Sequence, residues 1–279
     1  MGALRTTLRT ALPPSVRTWI HFLRSPGSRA AITRMRADER MLRLATSASD
    51  GLWKAVGGKV ATGPFRGMHY IRESVGSAWA PKVLGTYEKE LWPIFEAIVA
   101  ERYDSFVDIG AAEGFYAVGL AMCMPRLRVI AFEAQTDTHR WLGSLSVANG
   151  VEERIKIFGA CSSESLATAC RKSGKTLVLC DAEGAEYALL QPSNFPDSAS
   201  TSFLVELHHW VYPDIENVLR DRFSQTHTVE IICASPRTAA DWPGEVRIAE
   251  RYHLACMNEA RPPGMKWMWL RCRALGRDA

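Results

Sequence analysis

The chain has 279 residues, with 34 Lys and Arg against 30 Asp and Glu, a formal charge of +4. Hydrophobic residues make up 47% and charged residues 23%, enough apolar material for a core, which excludes disorder as the main state. The small net charge argues against a dedicated polyanion binder, so no nucleic-acid partner is expected.

The charge is uneven. Residues 1–45 hold nine Arg and two acids, a charge of +7, which leaves −3 for the remainder. The seven cysteines are odd in number, form no C-x-x-C pair, and include several inside apolar runs such as Thr176–Cys180. Buried reduced thiols in a cytoplasmic protein are expected, with no disulfide framework and no zinc site. No apolar stretch approaches the roughly 20 residues that span a bilayer. Trp19–Leu23 is too short and interrupted for the apolar core of a secretory signal.

In chain order, residues 1–82 read as a basic, mostly helical extension with a loop, and 83–279 as the main domain. Pro13-Pro14 precedes short predicted helices over Ser15–Leu23 and Ser28–Leu44. Tyr87–Glu101 reads as an amphipathic helix with Leu91, Ile94, Phe95 and Ile98 on one face. Strand, turn and helix then alternate. Strands are predicted over Ser105–Ile109, Leu127–Glu133, Ile155–Phe158, Thr176–Asp181, Ser202–Leu207, Thr228–Cys233 and Trp267–Cys272. Near-continuous apolar strands alternating with helices imply an α/β fold, with a parallel sheet covered on both faces. Ligands in such sheets bind beyond the carboxyl ends of the strands.

The first strand runs into VDIGAAEGFY (107–116), where Gly110 and Gly114 permit a tight turn and Ala112 is the smallest substitute for a middle glycine. The spacing differs from the dinucleotide G-x-G-x-x-G. It is closer to the acidic-x-G-x-G-x-G turn of class I S-adenosylmethionine-dependent methyltransferases. Asp108 lies where it could accept from a methionine ammonium. The other reading is a structural glycine turn. The second strand ends in Glu133, 19 residues after Gly114, where an acid accepts from both ribose hydroxyls of a nucleoside. Such an acid disfavours a 2′-phosphate, and NAD remains open on this evidence alone.

The fourth strand delivers Asp181-Ala182-Glu183-Gly184-Ala185-Glu186, and the fifth delivers Glu206, His208 and His209. If these strands are neighbours, Asp181, Glu183, Glu206 and His208 converge on one cleft. Alternation puts Glu206 and His208 on one face and His209 on the other.

Together VDIGAAEGFY, VIAFEA, Asn149-Gly150, LVLCDAEGAE and FLVELHH resemble the FkbM-type methyltransferase family over about residues 83–273. Asp-x-Glu-Gly-x-Glu is the most specific element, and Gly85–Glu88 is similar to the segment that leads into the family's core. Glu113 stands where the family often has Asn. The resemblance implies a Rossmann-like, doubly wound sheet of seven strands, the last antiparallel. It also implies S-adenosyl-L-methionine as cofactor, and methyl transfer usually to oxygen of a sugar, glycan or natural product. The cofactor set it points to is Asp108, Gly110, Ala112, Gly114, Tyr116, Glu133, Ala134, Cys161 and Asp181.

A hydroxyl acceptor needs a proton acceptor or a metal that acidifies it. His208 is the candidate base, because imidazole titrates near neutrality, with Asp181 and Glu183 orienting acceptor or cofactor. The bland readings are a hydrogen-bonded strand-end His and two helix-capping acids. A divalent ion on Asp181, Glu183 and Glu206 was the lesser alternative, and no metal ligand is assigned. Trp210, Tyr212, Trp242, Trp267 and Trp269 are either an acceptor pocket or core, and the shared strand face of Trp267 and Trp269 favours core. The basic head is read as a helical lid or surface extension; contact with an anionic surface is the sharper alternative. A degenerate, non-catalytic member of the fold that binds a ligand or protein is the second functional reading, and an NAD-dependent oxidoreductase a weaker third.

Overall fold

The computed structural model describes residues 28–171, 174–195, 200–262 and 264–273. The predicted helix at Ser15–Leu23 and most of the basic head lie outside these residues. A long helix, α1 (Ser28–Val56), runs past the expected end at Leu44. Two shorter helices, α2 (Trp79–Leu84) and α3 (Trp92–Glu101), lead to the sheet. The amphipathic helix expected from Tyr87 begins only at Trp92, after a 3-10 turn over Lys89–Leu91. Glu88 is left-handed, and Pro93 sits in the first turn, where its missing N–H costs nothing.

The alternation then follows as β1 (Ser105–Ile109), α4 (Phe115–Cys123), β2 (Arg128–Phe132), α5 (His139–Ala148), β3 (Ile155–Phe158) and α6 (Ser163–Cys170). It continues as β4 (Thr176–Cys180), α7 (Glu186–Leu189), β5 (Thr201–Glu206), α8 (Ile215–Phe223), β6 (His227–Cys233), α9 (His253–Met257) and β7 (Lys266–Cys272). The seven strands lie in the order β3-β2-β1-β4-β5-β7-β6. β7 is antiparallel to both its neighbours, and the other pairs are parallel. This is the expected Rossmann-like sheet with its last strand antiparallel.

Strand alternation divides the core into two clusters. Phe106, Leu177, Leu204, Trp267 and Trp269 fill one side of the sheet. Val107, Val178, Phe203, Val205 and Met268 fill the other. The two tryptophans of β7 are therefore core. Leu52, Phe65, Met68 and Tyr70 belong to the first cluster, so the segment before residue 83 shares a core with the sheet. Among the described residues, the cysteines are free, and no helix is long and apolar enough to cross a membrane.

The register positions the chemistry. Ile109 is opposite both Phe132 and Cys180, and Cys180 is opposite Val205. The next residues along these strands, Gly110, Glu133, Asp181 and Glu206, thus lie at one level, the first three just past their strands and Glu206 at the last position of β5. The chain order reverses between β1 and β4, which opens the crevice where ligands bind. At that crossing the Asp181 N–H donates to Ile109 O at 2.9 Å. A Cβ on Gly110 would lie 1.8 Å from the Asp181 carbonyl oxygen, and the residue has φ +89°. Gly110→Ala should therefore cost at least the roughly 1–3 kcal/mol of left-handed strain, plus the displacement of β4. Urea unfolding that gave an unchanged midpoint would contradict this close approach.

Candidate active site

A cavity of about 510 Å³ opens beyond the carboxyl ends of β1, β2, β4 and β5. Its first wall is the glycine turn. Gly110 N–H and Ala111 N–H donate to Phe132 O at 2.9 and 3.1 Å, tying the turn to the end of β2. Glu133 reaches back across it. Its Oε2 accepts from Ala112 N–H at 2.8 Å and its Oε1 from Gln135 N–H at 2.7 Å. Each carboxylate oxygen keeps a second lone pair, so Glu133 can still accept from a ligand. Gly110, Ala112, Tyr116, Glu133, Ala134 and Cys161 all line the cavity. Burial pushes the Cys161 thiol up to about 11, so it meets a ligand as a neutral group.

Gly114 and Asp108 do not line the cavity. Asp108 is buried beneath the turn. Burial, reinforced by the charges of Asp181 and Glu133, pushes its carboxyl up to about 8. It does not reach the cavity directly, so any contact with a methionine ammonium runs through the turn or through water.

A second wall comes from the segment before α2, and the sequence did not reveal it. Glu113, fully buried, accepts from Tyr70 Oη at 2.7 Å, Ser74 Oγ at 3.3 Å, Val75 N–H at 2.9 Å and the Lys82 ammonium. Burial alone would raise its pKa, but the Lys82 charge and these hydrogen bonds hold it below the usual carboxylate range. Asn149 clasps the same segment: its Oδ1 accepts from His69 N–H at 2.8 Å and its Nδ2 donates to His69 O at 2.9 Å. Val75, Gly76, Ser77 and Lys82 are thereby held along the cavity. Glu113 was noted only as a departure from Asn, and its partners lie 31 to 43 residues away.

The third wall is acidic. Gly184, with φ +102°, turns the chain where a Cβ would lie 2.7 Å from Val211 Cγ1. The turn folds Glu186 inward, where its Oε1 accepts from Ala182 and Gly184 N–H at 3.2 and 3.3 Å. The same oxygen lies 2.7 Å from His208 Nδ1. His208 Nε2 then faces Asp181 Oδ1 at 3.6 Å, Glu206 Oε2 at 3.6 Å and Glu183 Oε2 at 3.9 Å. Arg261, from the loop before β7, donates to Glu206 Oε1 at 3.0 Å and to Tyr87 Oη at 2.9 Å, and pairs with Glu88 and Glu259.

Asp181, Glu183, Glu206 and His208 therefore converge. The surroundings of His208 favour its charged form. Burial works against its charged form, but Glu186, with Asp181 and Glu183, outweighs burial and pushes the ring up to about 9. Of the late aromatics, Trp210 lines the cavity and meets His208 edge-on at 5.0 Å. Tyr212 stacks on Tyr187 at 4.7 Å, and Trp242 on His253 at 3.7 Å.

The chain matches no protein-family model and no curated protein. Solved structures with a similar course of the chain include an O-methyltransferase from Bacillus cereus in complex with S-adenosylhomocysteine. It is 10% identical, with 63% of this chain and 77% of that chain covered and a TM-score of 0.43. A putative rRNA-methylase from Clostridium thermocellum is 10% identical over 66% of this chain and 95% of that one, with a TM-score of 0.48. Fibrillarin from Aeropyrum pernix, with natively bound S-adenosyl-L-methionine, is 12% identical over 61% and 66%, with a TM-score of 0.40.

Lys82→Met should leave Glu113 buried without its cation and cost about 3–5 kcal/mol in urea unfolding. Because the folded Glu113 value is depressed, its stabilisation is present above the unfolded value of about 4.3 and is lost as pH falls through the folded one. Glu113→Gln should flatten that acid limb of the stability curve; an unchanged slope would remove Glu113 from the account.

Proposed function

We propose that the chain is an S-adenosylmethionine-dependent methyltransferase of the FkbM type, acting on a hydroxyl or carboxyl oxygen of a sugar, glycan or natural product. The observation that carries this reading is the joint placement of the glycine turn, Glu133, Cys161 and Asp181 around one cavity. Its volume is in the range of small-molecule sites. Glu133 takes the ribose hydroxyls, Ala134 and Cys161 flank the adenine, and the turn from Gly110 to Ala112 meets the methionine end. When bound, the cofactor supplies an electrophilic sulfonium methyl, so the protein's task is alignment, exclusion of water and proton handling.

Trp210, Pro262 and Met265 line the far end beside the acids and hold the acceptor there. Asp181, Glu183, Glu206 and His208 supply the proton-accepting atoms at this end, and Glu186 fixes the His208 ring. A degenerate binding module is the less favoured reading, because such a site need not keep a buried Glu186–His208 pair aimed at three carboxylates. Free cysteines and a small-molecule acceptor fit a cytoplasmic enzyme, and the basic head is the place for any contact with an anionic surface.

Calorimetric titration should show saturable binding of S-adenosylhomocysteine and none of NAD. Glu133→Ala should weaken that binding by about 1.5–3 kcal/mol, the worth of a charge-assisted contact. An equal dissociation constant in a variant that melts like the parent would remove Glu133 from the site, and absence of binding in the parent would overturn the reading.

A further inference from the structure

The geometry points to a divalent-cation site formed by Asp181 Oδ1, Glu206 Oε2 and His208 Nε2, with its open positions facing the acceptor. What the ion does rests on the methyl-transfer reading; where it sits does not.

Each of the three residues offers one ligand atom, and these atoms lie within 4.8 Å of one another. His208 Nε2 is 3.6 Å from each of the two oxygens. That is too long for a hydrogen bond. It suits two ligands of one ion, since atoms held at about 2.0–2.4 Å in tetrahedral or octahedral array are about 3–4 Å apart.

Each ligand is also fixed from behind. His208 Nδ1 lies 2.7 Å from the buried Glu186 carboxylate, the backing arrangement that orients metal-binding histidines. Glu206 Oε1 is held by Arg261, and Oε2 is the oxygen turned to His208 and Asp181. The Asp181 backbone is pinned to Ile109. His208 is only 2% exposed, yet its Nε2 makes no hydrogen bond among the described residues and faces the cavity. A buried ring so aimed is a second observation, independent of the acids.

Charge points the same way. Arg261 serves Glu88, Glu206 and Glu259 at once, so the nearest arginine does not neutralise the cluster. Asp181 and Glu206 lie in hydrogen-bond contact with each other beside His208, and Glu183 adds a third carboxylate. Two oxygens and one imidazole nitrogen suit Mn²⁺, Fe²⁺ or Zn²⁺ better than a cation that takes oxygen alone.

Such an ion would bind the acceptor's oxygen and lower the pKa of its hydroxyl. The O–H bond breaks and the proton passes to the half-exposed Glu183 and on to water. The O–CH₃ bond forms as the S–CH₃ bond breaks, and its electron pair stays on sulfur as the neutral thioether. The acceptor class is then a polyol or hydroxy acid able to chelate the ion through neighbouring oxygens.

The test uses the full chain, stripped with a chelator and titrated with Mn²⁺, followed by calorimetry and by loss of the free-ion electron paramagnetic resonance signal. One Mn²⁺ per chain is expected. Asp181→Asn should weaken binding at least tenfold while melting, without metal, no lower than the parent, because it removes one of the facing charges. Glu206→Gln gives a second loss at a different ligand. No saturable Mn²⁺ in the parent, or both variants binding as tightly as the parent, would overturn the site. S-adenosylhomocysteine is titrated in parallel. Its binding without Mn²⁺ binding overturns the ion alone, whereas Mn²⁺ binding without it supports the ion and overturns the methyl-transfer reading.

Discussion

The site depends on the close crossing of two strand ends. β1 and β4 run side by side in register, and their following turns touch where Gly110 meets the Asp181 carbonyl. No side chain fits between them, so the glycine turn and the acidic turn form adjacent walls of one crevice. Because β2 and β5 flank this pair in register, Glu133 and Glu206 are delivered to opposite ends of that crevice. The distance between the nucleoside end and the acidic end is therefore set by sheet geometry rather than by loops, which gives the precision that alignment chemistry demands.

Electrostatics then divides the crevice. Two buried carboxylates, Glu113 and Glu186, do structural duty: Glu113 gathers the Val75 N–H and the Lys82 ammonium, and Glu186 gathers two backbone N–H groups and the His208 ring. Asp108 escapes the cost of a buried charge by holding its proton. Asp181, Glu183 and Glu206 instead line the cavity around His208. Buried acids that face one another cost free energy unless a proton or a cation joins them.

The fold was largely legible because its signals are local. β1 and β3 fall at their expected bounds, and the other strands shift by a residue or so at their ends. Apolar runs followed by Gly or acidic turns carry that information. The direction of the late tryptophans followed from strand period alone. Legibility failed where partners come from afar. Lys82 and Tyr70 shape one wall from outside the repeating pattern, and Arg261 reaches Glu206 from 55 residues downstream. The position of His208 could be read from alternation, but its protonation could not. That is set by Glu186, which only the folded turn places 2.7 Å away. Asp108 shows the converse: a motif position fixed its backbone, while burial decided its charge.

The most direct measurement of the central claim is a crystal structure of the chain with S-adenosylhomocysteine and Mn²⁺, using anomalous scattering to locate the ion. The account predicts the ribose on Glu133, the adenine beside Cys161, and the thioether sulfur turned toward an ion held by Asp181, Glu206 and His208. A ligand bound in another cleft, or in this one with its sulfur turned away from the acidic cluster, would contradict it.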